Sequence, residues 1–204
     1  FPSYTGVVAT VARLVVSAEF WEHIGSTVGL FSMGFVLAVV IGVPIGIIMG
    51  RWAGVYRLLS PSMELLRPLP SAAIIPIAIL FLGIGAQMRV FVVFFGSLWP
   101  VLINSIQGAR GVDPSVAQTC SVFGIVGRKY ILRVLLPSAL PSIMAGMRIS
   151  LAIALILAIT VEMVVGGPGV GFMIIDAQRS FQFSVTYGGV IVIGVMGYAI
   201  NMIF

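Results

Sequence analysis

Charged residues are scarce in this chain, and their scarcity excludes most soluble classes. Asp, Glu, Lys and Arg make up 8% of the 204 residues, whereas hydrophobic residues make up 60%. A soluble domain carries about 25% charged residues, which it needs to cover its surface. The composition therefore indicates a membrane protein before any motif is considered.

The chain also has only one cysteine and lacks a nucleotide-binding motif. Cys120 is the single cysteine, which excludes an intrachain disulfide and a metal site built from several cysteines. The glycine-rich segment Gly166–Gly171 lacks the lysine of a phosphate-binding loop, so we expect this chain not to bind ATP itself. Because the sequence begins with Phe1 and not with Met, we expect it to be a piece of a longer chain. No signal peptide is recognisable in it.

Long apolar runs are abundant. A hydrocarbon core about 30 Å thick needs about 20 apolar residues in a helix. Segments of this kind predict five spans, at 26–50, 68–88, 90–109, 138–161 and 186–204. Residues 8–21 mix apolar residues with Arg13, Glu19 and Trp21, which predicts an interfacial amphipathic helix or, alternatively, the frayed end of a lost span. The expected fold is an all-α polytopic membrane helix bundle, with a single domain over 1–204.

The connecting segments carry most of the positive charge. Arginines lie within residues 51–67, and arginines and a lysine lie within residues 110–133, whereas the opposite side carries Arg89 and Arg179. Because loops rich in Lys and Arg stay in the cytoplasm, both segments are predicted to be cytoplasmic. Five crossings then place the C-terminus inside as well.

Residues 112–137 interrupt the hydrophobic pattern with a polar segment, which we call the coupling segment. Asp113 followed by Pro114 predicts a helix start, because the carboxylate can cap the first turn and proline suits the first helical position. Gly124 and Gly127 predict stops. A second short helix is predicted over Arg128–Leu136, ending before Pro137. Two short helices joined at a glycine form a rigid projection; an ordinary structured loop is the alternative.

The coupling segment resembles the EAA loop of ABC importer permeases, which has the pattern Glu-Ala-Ala, three residues, Gly, nine residues, Ile, one residue, Leu-Pro. Counting from Gly124 places Gln118-Thr119-Cys120 at the Glu-Ala-Ala positions and Leu136-Pro137 at the Leu-Pro. The spacing agrees, but the glutamate is replaced by glutamine, which carries no charge. The resemblance implies these ATPase-coupling residues: Asp113, Pro114, Gln118, Thr119, Cys120, Gly124, Arg128, Lys129 and Pro137.

Further motifs are similar to the nitrate, sulfonate, taurine and bicarbonate branch of these permeases, among them Glu64–Gly85, Arg110–Pro114 and Glu162–Arg179. The resemblance implies a type I importer permease in the bacterial inner membrane. It also implies a second permease copy, an extracytoplasmic substrate-binding protein and separate cytoplasmic ATPase subunits that bind ATP and Mg²⁺. No cofactor is expected in this chain, and the solute is expected to be a small anion.

Ionisable residues inside membrane spans are costly and are functional candidates by default. Arg148 lies near the middle of the fourth span and predicts an anion contact, or else a helix-packing role. Glu162 lies at the end of the same span. It is predicted to gate the exit or to pair with Arg179, or else to be a solvated residue at the helix end. Gln178 and Ser71 are further candidates for the translocation pathway. No metal site is predicted.

Two other functions compete with the permease. A secondary transporter or channel would need no ATPase and is typically built from inverted repeats with discontinuous helices. The sequence shows no such repeat, and this class leaves the coupling segment unexplained. A membrane scaffold would have no polar groups facing a pathway, and Arg148 and Glu162 argue against it.

Overall fold

A computed structural model describes residues 3–204, and the secondary structure of this part of the chain is helical. The helices are α1 Tyr4–Val16, α2 Ala18–Arg51, α3 Ala53–Leu66, α4 Ile75–Leu82, α5 Ala86–Arg110, α6 Pro114–Val122, α7 Gly127–Tyr130, α8 Leu136–Val165, α9 Val170–Arg179 and α10 Phe183–Ile203. A 3₁₀ turn, Ser71–Ile74, precedes α4, and a π-helical turn, Ile131–Leu135, joins α7 to α8.

Within residues 3–204, four helical stretches are long and apolar enough to cross a membrane: α2, α5, Gly127–Val165 and α10. A fifth candidate is the pair formed by α3 and the stretch Ser71–Leu82, which is bent by 87°. The predicted all-α bundle with about five spans is confirmed in this form.

The span predicted at 68–88 is not a single helix. Helix α3 ends at Leu66, and α4 is only 8 residues long, ending before Gly83 at φ 70°. Pro68 and Pro70 lie between the two helices, and a proline disfavours helical geometry in the residue before it. Apolarity alone predicted the length of this segment, but the prolines lie at the bend between α3 and the stretch Ser71–Leu82, and Gly83 ends α4.

The N-terminal helix also differs in its bounds. A break at Ser17 divides the predicted stretch 8–21 between α1 and α2. Ser17 has extended geometry (φ −81°, ψ 137°), and its hydroxyl accepts from the backbone N–H of Phe20 at 3.4 Å. A serine in this position caps the helix that follows it, so α2 begins eight residues before the predicted start of the first span.

The described chain divides into two compact units. Unit 1 contains the residues up to Phe35 together with Pro70–Gly96 and Leu151–Phe204, and unit 2 contains Val36–Leu69 and Ser97–Ser150. The core of unit 1 includes Phe31, Val93 and Leu155. Whether the chain acts as the single domain predicted over 1–204 stays a prediction.

Within unit 2, a stripe of small residues on α2 packs against α5. Gly42, Gly46 and Gly50 recur every four residues on α2, and each faces α5: a Cβ on Gly42 would lie 3.1 Å from a side-chain carbon of Leu98, and one on Gly46 would lie 2.9 Å from the carbonyl oxygen of Leu102. Small residues at this spacing let two helix backbones approach closely in a membrane. The stripe therefore serves packing within this chain.

Candidate functional site

The coupling segment begins as its sequence predicts. Helix α6 starts at Pro114, and Asp113 is its N-cap, with Oδ1 accepting from the backbone N–H of Ser115 at 2.8 Å. Hydrogen bonds from Ser115 stabilise the carboxylate, so they hold the pKa of Asp113 below its ordinary value. The proline and the aspartate together define the orientation of the first turn.

The end of α6 is a Schellman motif centred on Gly124. Gly124 has φ 69°, its N–H donates to the carbonyl of Ser121 at 3.1 Å, and the N–H of Ile125 donates to the carbonyl of Cys120 at 2.8 Å. This pair of bonds satisfies the last carbonyls of a helix and requires a left-handed residue, for which glycine is the natural choice. The predicted stop at Gly124 is confirmed.

The predicted second short helix, Arg128–Leu136, is confirmed at its start to within one residue but is wrong at its end. Gly127 (φ 59°) opens α7 and does not end a helix, as was predicted for it. The helical stretch that starts there continues to Val165, so Pro137 lies inside it. A proline ring ordinarily clashes with the carbonyl four residues earlier. At this point the helix is not regular: a π-helical turn, Ile131–Leu135, directly precedes α8.

A small core supports the coupling segment from beneath. Cys120, Tyr130 and Leu135 are buried together with Ala109 of α5. Cys120 was predicted to be a coupling contact, but it is only 9% exposed and therefore does not present its side chain to a partner. Gln118 and Thr119, at the other two Glu-Ala-Ala positions, are exposed.

Three apolar side chains around the Gly124 turn are exposed, and sequence reasoning missed them. Val122 is 82% exposed, Phe123 76% and Val126 60%. Beyond them lie the exposed cations Arg128, Lys129 and Arg133. We call these six residues the coupling tip. The sequence feature that could have predicted this surface is Phe123, a phenylalanine directly before the glycine that ends the helix, in a segment interpreted as polar.

The predicted pathway residues occupy different places. Arg148 belongs to unit 2 and is exposed on α8, as is its neighbour Ile149. Gln178 is exposed in the last turn of α9. Ser71 is half-buried, and its hydroxyl would lie 2.6 Å from a Cβ on Gly96 of α5. Arg148 and Gln178 are therefore exposed, whereas Ser71 packs against α5, and a place for any of the three in a pathway stays a prediction.

Glu162 is not at a solvated helix end. It is 0% exposed, and its Oε2 accepts from the hydroxyl of Thr27 and from the backbone N–H of Gly171, both at 2.9 Å. Within the described residues its Oε1 has no hydrogen-bond partner. A carboxyl group buried in this way cannot contact a solute in this conformation, so it acts on the protein around it.

The residues near Glu162 come from three elements of unit 1. His23 and Ser26 of α2 bond to the segment Gly166–Gly171, which we call the glycine loop: Nδ1 of His23 accepts from the N–H of Gly169 at 3.0 Å, and the hydroxyl of Ser26 donates to the carbonyl of Pro168 at 2.8 Å. Arg89 of α5 places its guanidinium against Gly167, within 2.6 Å of where a Cβ would lie.

Comparison with known proteins gives one family and several relatives. The family described as binding-protein-dependent transport system inner membrane component matches residues 42–204. SsuC of Bacillus subtilis (strain 168), whose name refers to aliphatic sulfonates transport, is 33% identical over 96% of this chain and 71% of its own length. The nitrate import permease protein NrtB of Synechocystis sp. is 32% identical over 83% of this chain and 62% of its own length.

A bicarbonate transport system permease protein, CmpB of Synechococcus elongatus, is similar to the same degree, at 32% identity over 89% of this chain and 66% of its own length. The chain thus spans roughly two thirds of the length of these relatives. Among solved structures, a chain of the MetNI methionine ABC transporter in an inward-facing conformation superposes with a TM-score of 0.78 at 18% identity, over 90% of this chain and 92% of that chain. That likeness concerns the fold.

Proposed function

The chain belongs to the family of binding-protein-dependent transport system inner membrane components, and we propose that it is the permease of an ATP-driven importer for a small anionic solute. In this proposal two permease copies line one pathway in the bacterial inner membrane. An extracytoplasmic binding protein delivers the solute, and separate cytoplasmic ATPase subunits bind ATP and Mg²⁺. The relatives' names support the solute class, since nitrate, bicarbonate and sulfonates are all anions.

The observation that carries the proposal is the coupling tip. Exposed apolar side chains on a soluble surface typically mark an interaction site, and Phe123 stands on a turn held rigid by the Gly124 Schellman motif and the core beneath it. The only acidic residue of the segment, Asp113, is occupied as a helix cap. We therefore propose that the ATPase offers an apolar pocket for Phe123 with acidic groups around it that face Arg128, Lys129 and Arg133.

The first experiment is co-purification of this chain with its proposed ATPase subunit. Phe123→Ala is expected to lower the affinity for the ATPase by about tenfold, because a buried aromatic anchor contributes well over 1 kcal/mol to an interface. Val116→Ala, on the opposite end of α6 and 41% exposed, is the matched control and should bind normally. Wild-type chain that never retains an ATPase in mild detergent, or uptake that proceeds without one, would contradict the proposal in favour of a secondary transporter.

The solute class is tested at Arg148. In proteoliposomes that contain the full complex, Arg148→Gln is expected to slow uptake of nitrate, bicarbonate or an alkanesulfonate by about tenfold, since a charge-assisted contact in a pathway contributes on the order of 1.5–3 kcal/mol. Arg148→Lys keeps the charge and should retain most of the uptake. ATPase co-purification should not change in either variant. Uptake by Arg148→Gln equal to that of the wild-type chain would show that Arg148 does not contact the anion.

A further inference from the structure

Helix α9 has no cap of its own. Its N-cap position is Gly169, which has no side chain to bond the first-turn amides. These amides are the groups that a helix leaves unsatisfied at its start. They are bonded here by side chains of two other helices: the N–H of Val170 donates to the hydroxyl of Thr27 at 2.9 Å, and the N–H of Gly171 donates to Glu162 at 2.9 Å.

Thr27 and Glu162 form one hydrogen-bond network with these amides. The Thr27 hydroxyl accepts from Val170 and donates to Oε2 of Glu162, so a single hydroxyl links α2, α8 and α9. Both side chains are 0% exposed. A carboxylate is also favoured at this place by the positive end of the α9 dipole. We call Thr27 and Glu162 with their two amide partners the α9 latch.

The glycine loop is shaped to fit the latch. A Cβ on Gly169 would collide with the carboxyl group of Glu162, and one on Gly171 would collide with the carbonyl of Ile159. On the other side, the guanidinium of Arg89 lies against Gly167, and its Nε has no hydrogen-bond partner within the described residues. Because these glycines have no side chains, the carboxyl group of Glu162 and the guanidinium of Arg89 can both lie directly against one loop.

The far end of α9 presents a polar surface. Asp176, Gln178 and Arg179 are exposed there, followed by Phe181, which is 78% exposed and held at φ 57°. The positive-inside rule places this surface on the side of the membrane opposite to the coupling segment. This surface belongs to the segment of unit 1 between α8 and α10, and a partner outside the membrane could contact it.

We propose that Glu162 and Thr27 are positioning residues for the binding-protein step: they fix α9 against α2 and α8 so that its exposed end can be engaged by the extracytoplasmic binding protein. The inference rests on the proposed function. It assigns Glu162 a role through α9 and not as a contact of the solute. Glu162 also lies near the end of the helical stretch Gly127–Val165, which begins in the coupling segment.

The test compares Thr27→Val with Thr27→Ser in the complete complex, reconstituted with its ATPase and titrated with the purified binding protein carrying its bound solute. Thr27→Val is isosteric but removes both hydroxyl hydrogen bonds. It is expected to raise the binding-protein concentration for half-maximal stimulation of ATP hydrolysis by about tenfold. Basal hydrolysis and the Tm of the complex should stay close to those of Thr27→Ser, which keeps the hydroxyl.

Two results would overturn the inference. One is an unchanged half-maximal concentration in Thr27→Val. The other is a parallel fall of basal and stimulated hydrolysis with Tm, which would be a purely structural effect. If Thr27→Val does not assemble, Glu162→Gln decides: it retains an acceptor oxygen but loses the charge, and a shift of about threefold is expected, with no shift counting against the inference. A wild-type complex without binding-protein stimulation would instead refute the proposed function.

Discussion

Gly124→Val is expected to uncouple the permease from its proposed ATPase while leaving the membrane helices intact. Gly124 has φ 69°, and a Cβ there would meet nothing within 4 Å, so the penalty lies wholly in the backbone. Holding a non-glycine residue in such a region costs on the order of 1–3 kcal/mol, and a β-branched residue such as valine is a genuine outlier there. The Schellman motif would open, and Phe123 would leave its place on the coupling tip.

The expected measurement is a fall of roughly 10- to 100-fold in ATPase affinity and in stimulated ATP hydrolysis, which is that backbone cost expressed as an equilibrium ratio. Gly124→Asn is the matched control, because asparagine adopts left-handed geometry more readily than other residues; it should retain most of the coupling. Detergent-extracted Gly124→Val should remain monodisperse. If its ATPase affinity equals that of Gly124→Asn, the turn geometry is not what holds the tip.

Gly46→Val is expected to prevent unit 2 from folding. A Cβ at position 46 would collide with the Cβ of Ser105 and lie 2.9 Å from the carbonyl oxygen of Leu102, which is backbone and cannot rotate away. Overpacking a core costs about 1–3 kcal/mol even where side chains can yield, and here α2 and α5 would have to separate. Thermal unfolding in detergent should show a much lower Tm, or no folded protein should be recovered.

The control for this prediction lies on the same helix. A Cβ on Gly29 would meet nothing within 4 Å, so Gly29→Val should extract and unfold like the wild-type chain. The comparison separates the general effect of valine in α2 from the specific contact with α5. A Gly46→Val protein with wild-type Tm would show that the two helices do not approach closely at this point.

Helix ends could be predicted from the sequence where neighbouring residues determine them. Asp113 and Pro114 predicted the start of α6, and Gly124 predicted its end, because capping and left-handed geometry depend on a few adjacent residues. Pro137 shows the boundary of this reasoning. It predicted a helix end, but the helix continues through it after a π-helical turn, and such a turn has no simple signature in the sequence.

Burial of individual polar residues was not readable in the same way. Glu162 was predicted to be a gate, a partner of Arg179 or a solvated helix end, and Cys120 to be a coupling contact, but each is buried. The partners of Glu162 lie on other elements: Thr27 is 135 residues away. Conversely, Phe123 is apolar but exposed. Exposure depends on which elements pack together, and that information is not local.

The sequence by itself determined the class of this protein, its approximate spans, its polar coupling segment and its family resemblance, because hydrophobic run length, scarcity of charge and helix-end residues act over short distances. Only the tertiary structure decided that the second predicted span is a bent pair, that Phe123 and its neighbours form the exposed coupling tip, and that Glu162 and Thr27 cap α9. The last two depend on how elements pack together, which no single segment encodes; the bend lies at neighbouring prolines, whose effect the length of an apolar run does not show.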